Sequence, residues 1–115
     1  MKLYGIRNCD KVKRARSWLD AHGHAIPFHD FKKDGIDRDL LAGWLRQTDW
    51  QALLNRQGTT WKNLSIDEKN AVTDESAAIL LMLEKPSVIK RPVLESDDRL
   101  VLGFDEKTYL ECFDK

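Results

Sequence analysis

Hydrophobic positions change their period several times along the chain. Leu3, Tyr4 and Ile6 form a short bulky run, which predicts a strand over 1–6. From Asp10 the spacing becomes helical. Val12, Ala15 and Leu19 share one stripe, Trp18 lies beside it, and Lys11, Lys13, Arg14 and Arg16 take the wet side, so a helix is predicted over 10–21. Gly23, between His22 and His24, is placed to cap it. Residues 27–31 alternate in the manner of a second strand. Strand, helix and strand in this order predict a right-handed crossover between parallel strands.

Residues 32–35 read as a turn, and about fifty residues of helical pattern follow. Asp37 can cap a helix carrying Leu40, Leu41, Trp44 and Leu45 on one face. A short helix is predicted over 50–54, broken by Gln57-Gly58-Thr59-Thr60. Ser65-Ile66-Asp67-Glu68 matches a capping box. Thr73-Asp74-Glu75 opens an apolar helix that Pro86 stops. Beyond it, 88–94 and 100–102 are apolar runs separated by Glu95-Ser96-Asp97-Asp98, the pattern of a β-hairpin. A last helix over 105–113 would turn Tyr109, Leu110 and Phe113 inward. The order β-α-β, helical insert, β-β-α predicts an α/β fold: one mixed sheet with helices packed on it, and a helical region with its own apolar faces.

Length and composition narrow the function classes. The 115 residues suit a single domain. Lys+Arg and Asp+Glu both number 19, so no bulk charge favours nucleic acid or membrane surfaces. No apolar stretch approaches the roughly 20 residues of a membrane helix, and the N-terminus lacks a signal peptide's apolar region. A cytoplasmic location is the expectation. In that reducing compartment the two cysteines, Cys9 and Cys112, are not expected to pair as a structural disulfide, and they are too few for a structural zinc site. His22, His24 and His29 have no metal-ligand spacing, and His22 and His24 are expected in solvent. Trp18, Trp44, Trp50 and Trp61 are expected as packing residues.

The candidate chemistry is at Cys9. A tight loop from a strand into a helix puts this residue at the helix N-terminus, where unpaired N–H groups and the helix dipole favour an anion. A thiol there should ionise more readily. Arg7, Lys11 and Lys13 would add to the effect and Asp10 would oppose it. The polar neighbours Asn8 and Asp10 do not suit a core position. Cys112, beside Phe113 in an amphipathic helix, reads as a packing or surface residue. It could resolve an intermediate on Cys9 only if the two met in space.

The Leu3-Tyr4 strand, the Asn8-Cys9 loop, the helical insert and Lys90-Arg91-Pro92-Val93 resemble the ArsC-like family. Leu102-Gly103-Phe104, Asn8-Cys9-Asp10, Val12-Lys13 and the run Asn55-Arg56-Gln57-Gly58-Thr59-Thr60-Trp61 resemble its Spx/YffB branch. The resemblance implies a thioredoxin-like core formed by 1–31 and 86–115, with 32–85 as an inserted helical subdomain. It also implies a cis Arg91–Pro92 bond facing the cysteine loop and a nucleophilic role for Cys9. Glutaredoxin-linked arsenate reductases place a histidine where this chain has Gly5 and an arginine where it has Lys13. Of their three anion-binding arginines, Arg91 matches. Arg56 matches with a one-residue shift, and the third is replaced by Leu102, with Arg99 nearby. The Cys-x-x-Cys of redox-sensing Spx regulators is absent, because Val12 takes the second position.

These features lead to the expectation of a glutathione-dependent thiol oxidoreductase without a tightly bound cofactor. Cys9 would be its nucleophile and glutathione its cosubstrate. Asn8 and the helix N-terminus would steady the sulfur anion. Arg91, Arg56 and Lys13 would hold carboxylates beside Pro92. The alternatives implied are a regulator that binds the RNA polymerase α-subunit and an arsenate reductase linked to glutaredoxin. No nucleic acid or membrane partner is expected.

Overall fold

The N-terminal run forms strand β1 (Lys2–Gly5), and the amphipathic stretch after it forms helix α1 (Asp10–Ala21). The computed structural model describes residues 1–97 and 99–113. These fall into two compact units, 1–34 with the described residues from 91 onward, and 35–90.

In the first unit, α1 ends in a Schellman arrangement. The Gly23 N–H donates to Asp20 and the His24 N–H to Leu19, and Gly23 takes φ +74°, a conformation that glycine adopts without steric cost. Strand β2 (Phe28–Asp30) then lies parallel to β1, with Leu3 opposite Phe28. The other edge is completed by β3 (Val93–Glu95) and β4 (Leu100–Leu102), both antiparallel to their neighbours, in the order β2-β1-β3-β4. Leu3, Leu94 and Val101 are register partners across three strands. They form one buried cluster with Ala15, Trp18 and Leu19 of α1. The last helix (Glu106–Phe113) adds Tyr109 and Cys112 to the same cluster. Each large apolar side chain so buried stabilises by about 1.5–3 kcal/mol relative to exposure.

Several local expectations need correction. Residues 32–35 do not simply turn. Phe31–Asp34 closes one helical turn, α2, because the Asp34 carboxylate accepts from the Asp30 N–H and Asp30 from the Lys32 N–H. The apolar run over 88–94 is a strand only from Val93, since Pro92 has no N–H to give a ladder. Leu110 is not an inward residue; it is 49% exposed and Cys112 takes the inner position. Asp98 of the expected hairpin turn lies outside the described residues, while Ser96 and Arg99 bond across that turn.

The second unit is helical: α3 (Arg38–Leu45), α4 (Trp50–Leu53), α5 (Thr59–Lys62), α6 (Ile66–Asn70) and α7 (Glu75–Glu84). Asp37, Asp49 and Asp74 cap three of these helices, and Ser65 with Glu68 closes a capping box on α6. The expected break at 57–60 stops short, because Gly58 is already the N-cap of α5. A 3₁₀ turn follows at Pro86–Val88, and Ile89 pairs with Leu54. This pairing keeps the chain in the second unit as far as Lys90, and the hydrogen bonds among Asp30, Lys32 and Asp34 keep α2 with β2 in the first. The final helix Glu106–Phe113 is α8. Among the described residues no helix is long and apolar enough to cross a membrane.

Candidate functional site

The turn Arg7-Asn8 follows β1 closely, and the Cys9 N–H donates to the Ile6 carbonyl at 3.2 Å. Cys9 is the N-cap of α1, with extended φ −94° and ψ 129°. Its carbonyl accepts from the Lys13 N–H at 2.9 Å. Gly5 lets this corner be tight. A Cβ there would stand 2.7 Å from Val12 Cγ2, so a side chain at position 5 would force Val12, which is fully buried, to move. A histidine at position 5 would therefore crowd Val12 in this chain.

Cys9 is half-buried. Burial pushes its thiol up, but the backbone N–H of Val12, then the Arg91 guanidinium by hydrogen bond and charge, then the N–H of Lys11 act the other way, and the net effect is a lowered pKa. The neutral thiol makes no capping bond. The N–H groups of Val12 and Lys11 therefore favour chiefly the anion, as the free donors of a first helical turn do.

Arg91 is half-buried, and the Arg91–Pro92 bond is cis. The Pro92 carbonyl accepts from the Gly103 N–H at 2.8 Å, where Gly103 takes φ +83° as β4 ends. The Arg-Pro element is thereby tied to the sheet while the guanidinium reaches the sulfur.

The other predicted contributors have surroundings of their own. Arg7 turns to Asp30, 3.9 Å away, and lies over Phe28. Lys11 acts on the sulfur through its backbone N–H, and the side chains of Asn8, Asp10 and Lys13 are exposed. Arg56 belongs to the second unit, where its guanidinium lies 5.9 Å from the Trp50 ring and 5.6 Å from the Trp61 ring. Arg99 does not stand in for the arginine replaced by Leu102. It pairs with Glu111 at 3.5 Å and bonds to Cys112, three strand positions or about 10 Å from Leu102 along β4.

Cys112 is 1% exposed. β4 runs toward the Cys9 end of the sheet and α8 returns from it, so Cys112 lies beside Arg99 at the opposite end. It is not placed to resolve an intermediate on Cys9, and both thiols are free. Among the described residues no group of three or more histidine, cysteine or acidic side chains could hold a metal ion.

His22 is exposed, as expected, although its ring stacks on Trp18 with centroids 3.9 Å apart, whereas His24 is half-buried and stacks on Phe113 at 3.8 Å. The i, i+4 spacing of Trp18 and His22 carried the first contact in the sequence; the second joins distant segments.

The sequence profile of the ArsC family matches residues 4–112. An uncharacterised protein of Haemophilus influenzae is 40% identical over 111 residues, 96% of each chain. The global transcriptional regulator Spx of Streptococcus mutans is 26% identical over 106 residues, 90% of this chain and 76% of the regulator. A solved structure described as YFFB is 50% identical, with TM-score 0.89 over 96% of each chain.

Proposed function

The chain belongs to the ArsC family, and from that premise we propose that it is a glutathione-dependent thiol oxidoreductase working through Cys9 alone. The observation that carries this reading is a partly exposed sulfur at a helix N-terminus, held toward its anion by backbone N–H groups and Arg91. The Cys9 thiolate attacks the glutathione sulfur of a mixed disulfide. A Cys9–glutathione disulfide forms, and the substrate leaves as its thiolate. A second glutathione thiolate then attacks that disulfide, giving oxidised glutathione and regenerating the Cys9 thiolate. Val12, three residues after Cys9, and the remote Cys112 supply no internal thiol for this step, so the resolving thiol comes from outside. Arg91 steadies the sulfur and attracts a carboxylate of glutathione, with Lys13 one turn along α1 and Asn8 and Pro92 shaping the approach. Arg56, stacked over two indoles in its own unit, is given no step.

The test is turnover of a glutathionylated peptide with mass analysis of Cys9. The mixed disulfide should form on Cys9 and be removed by reduced glutathione. A Cys9→Ser variant with undiminished turnover would overturn the reading.

Similarity to a global transcriptional regulator over 90% of the chain favours a second reading, a regulator that docks on the RNA polymerase α-subunit. It predicts a complex with that subunit at micromolar protein that survives Cys9→Ser. Arsenate reduction ranks third. An oxyanion favours several convergent cationic donors, and within the first unit Leu102 replaces one arginine while Arg99 is engaged by Glu111 and Cys112.

A further inference from the structure

Resting on the glutathione reading above, we propose that the groove between α1 and the start of α8 holds the γ-glutamyl end of glutathione, its α-carboxylate on Lys13 and Arg14 and its α-ammonium on Glu106. Lys13, Arg14, Ser17, Trp18, Phe104 and Glu106 line this one open groove of roughly 420 Å³, the size of a small-ligand site.

Register links the groove to the sulfur. Cys9, Lys13 and Ser17 follow one another at i, i+4 and i+8, and the Lys13 N–H donates to the Cys9 carbonyl. Lys13 and Arg14 therefore stand about 6 and 7.5 Å along the helix axis from Cys9. In glutathione, the γ-glutamyl α-carbon lies about two extended residues, roughly 7 Å, from the cysteinyl Cα. A tripeptide joined to Cys9 through its sulfur and laid along α1 brings its zwitterionic end level with these two cations.

The groove carries both signs of charge. A ligand bearing only carboxylates would meet Glu106 unfavourably, whereas an α-amino acid presents an anion and a cation on one carbon. Neighbouring cations are turned away, Arg7 toward Asp30 and Arg16 over the Phe28 ring at 4.5 Å. Trp18 and Phe104 give the groove an apolar lining against which the glutamyl methylenes can lie.

The experiment measures how well glutathione, and an analogue whose glutamyl residue is replaced by glutaryl and so lacks the α-amino group, resolve the Cys9 mixed disulfide. In the native chain the analogue should have a KM about 3–5-fold higher. In Glu106→Gln that difference should vanish. The double variant Lys13→Ala, Arg14→Ala should raise the glutathione KM by about 3–10-fold with kcat unchanged. These are exposed side chains, and an unchanged Tm confirms that the variants remain folded. If glutathione and the analogue behave alike in the native chain while Cys9 still exchanges, the groove assignment fails and the oxidoreductase reading stands. If Cys9 alkylates readily yet does not exchange with glutathione, both fall.

Discussion

The first unit holds two cysteines, each with an arginine beside it, and the two ends of its sheet treat them differently. Cys9 opens α1, half-buried, with N–H groups of the first turn and Arg91 favouring its anion. Cys112 lies in the last turn of α8, buried in the same cluster as Trp18, Leu19, Val101 and Tyr109, while Arg99 divides itself between that thiol and Glu111. Proximity of an arginine is thus common to both. What separates them is backbone polarity and access: a helix start offers free donors, a helix end offers carbonyls, and only the first faces solvent.

The largest expected effect follows from access. In the native chain iodoacetamide should modify Cys9 at least about 10³-fold faster than Cys112, whose exposure requires opening of the core. Peptide mapping after timed alkylation measures the ratio. Comparable rates would erase the distinction between the two ends.

Next in size is the corner that positions Cys9. Gly5→Ala would put a methyl group 2.7 Å from Val12 Cγ2, an overpacking that should cost about 1–3 kcal/mol in denaturant unfolding. Adding Val12→Ala should recover part of the loss. An unchanged midpoint for Gly5→Ala would mean that β1 and α1 are not packed this tightly.

The electrostatic part of the contrast is read from pH. Cys9 alkylation should have its midpoint below that of an ordinary thiol, about 8.5, and Arg91→Ala should move the midpoint upward, since it removes a hydrogen bond and a positive charge from the anion. The sign for stability follows. A thiol with a lowered native pKa adds stability above its unfolded pKa, and this is lost as pH falls through the native value. The contribution should disappear in Cys9→Ser. An Arg91→Ala profile superimposed on the native one would leave the backbone as the sole cause.

Much of this contrast was legible in the sequence, and the part that was not has identifiable reasons. The helix start at Cys9 could be read because Val12, Ala15 and Leu19 repeat with helical period after a polar loop. The cap at Gly23 and the box at Ser65 and Glu68 are local signals that tertiary structure left intact. Arg91 came from a family resemblance, since no local rule links it to a residue 82 positions away. Charge was the least readable quantity. Arg7, adjacent to the loop, goes to Asp30, and Arg99, near the replaced arginine, goes to α8. Long side chains choose partners by the strand and helix beside them, which sequence distance does not give. The error at Leu110 is of the same kind. One helical residue shifts the buried stripe by about 100°, and the apolar Leu110 masked the small buried Cys112.

The smallest effect tests whether the Cys112 end carries any function. The Tyr109 hydroxyl is fully buried and has no hydrogen-bond partner among the described residues, and burial pushes its pKa up. A working hydroxyl would be expected to have a partner or a path to solvent. This one is held by its ring, set edge-on against Trp18 and Phe104 with centroids 5.6 and 4.9 Å apart. Removing an unsatisfied buried polar atom while keeping the ring should be neutral or stabilising by up to about 1 kcal/mol. Tyr109→Phe is therefore expected to hold or raise the unfolding midpoint and to leave Cys9 alkylation unchanged. A loss of stability beyond about 1 kcal/mol would reveal a partner for the hydroxyl, such as an ordered water, and with it a polar site in what is otherwise the apolar counterpart of the Cys9 loop.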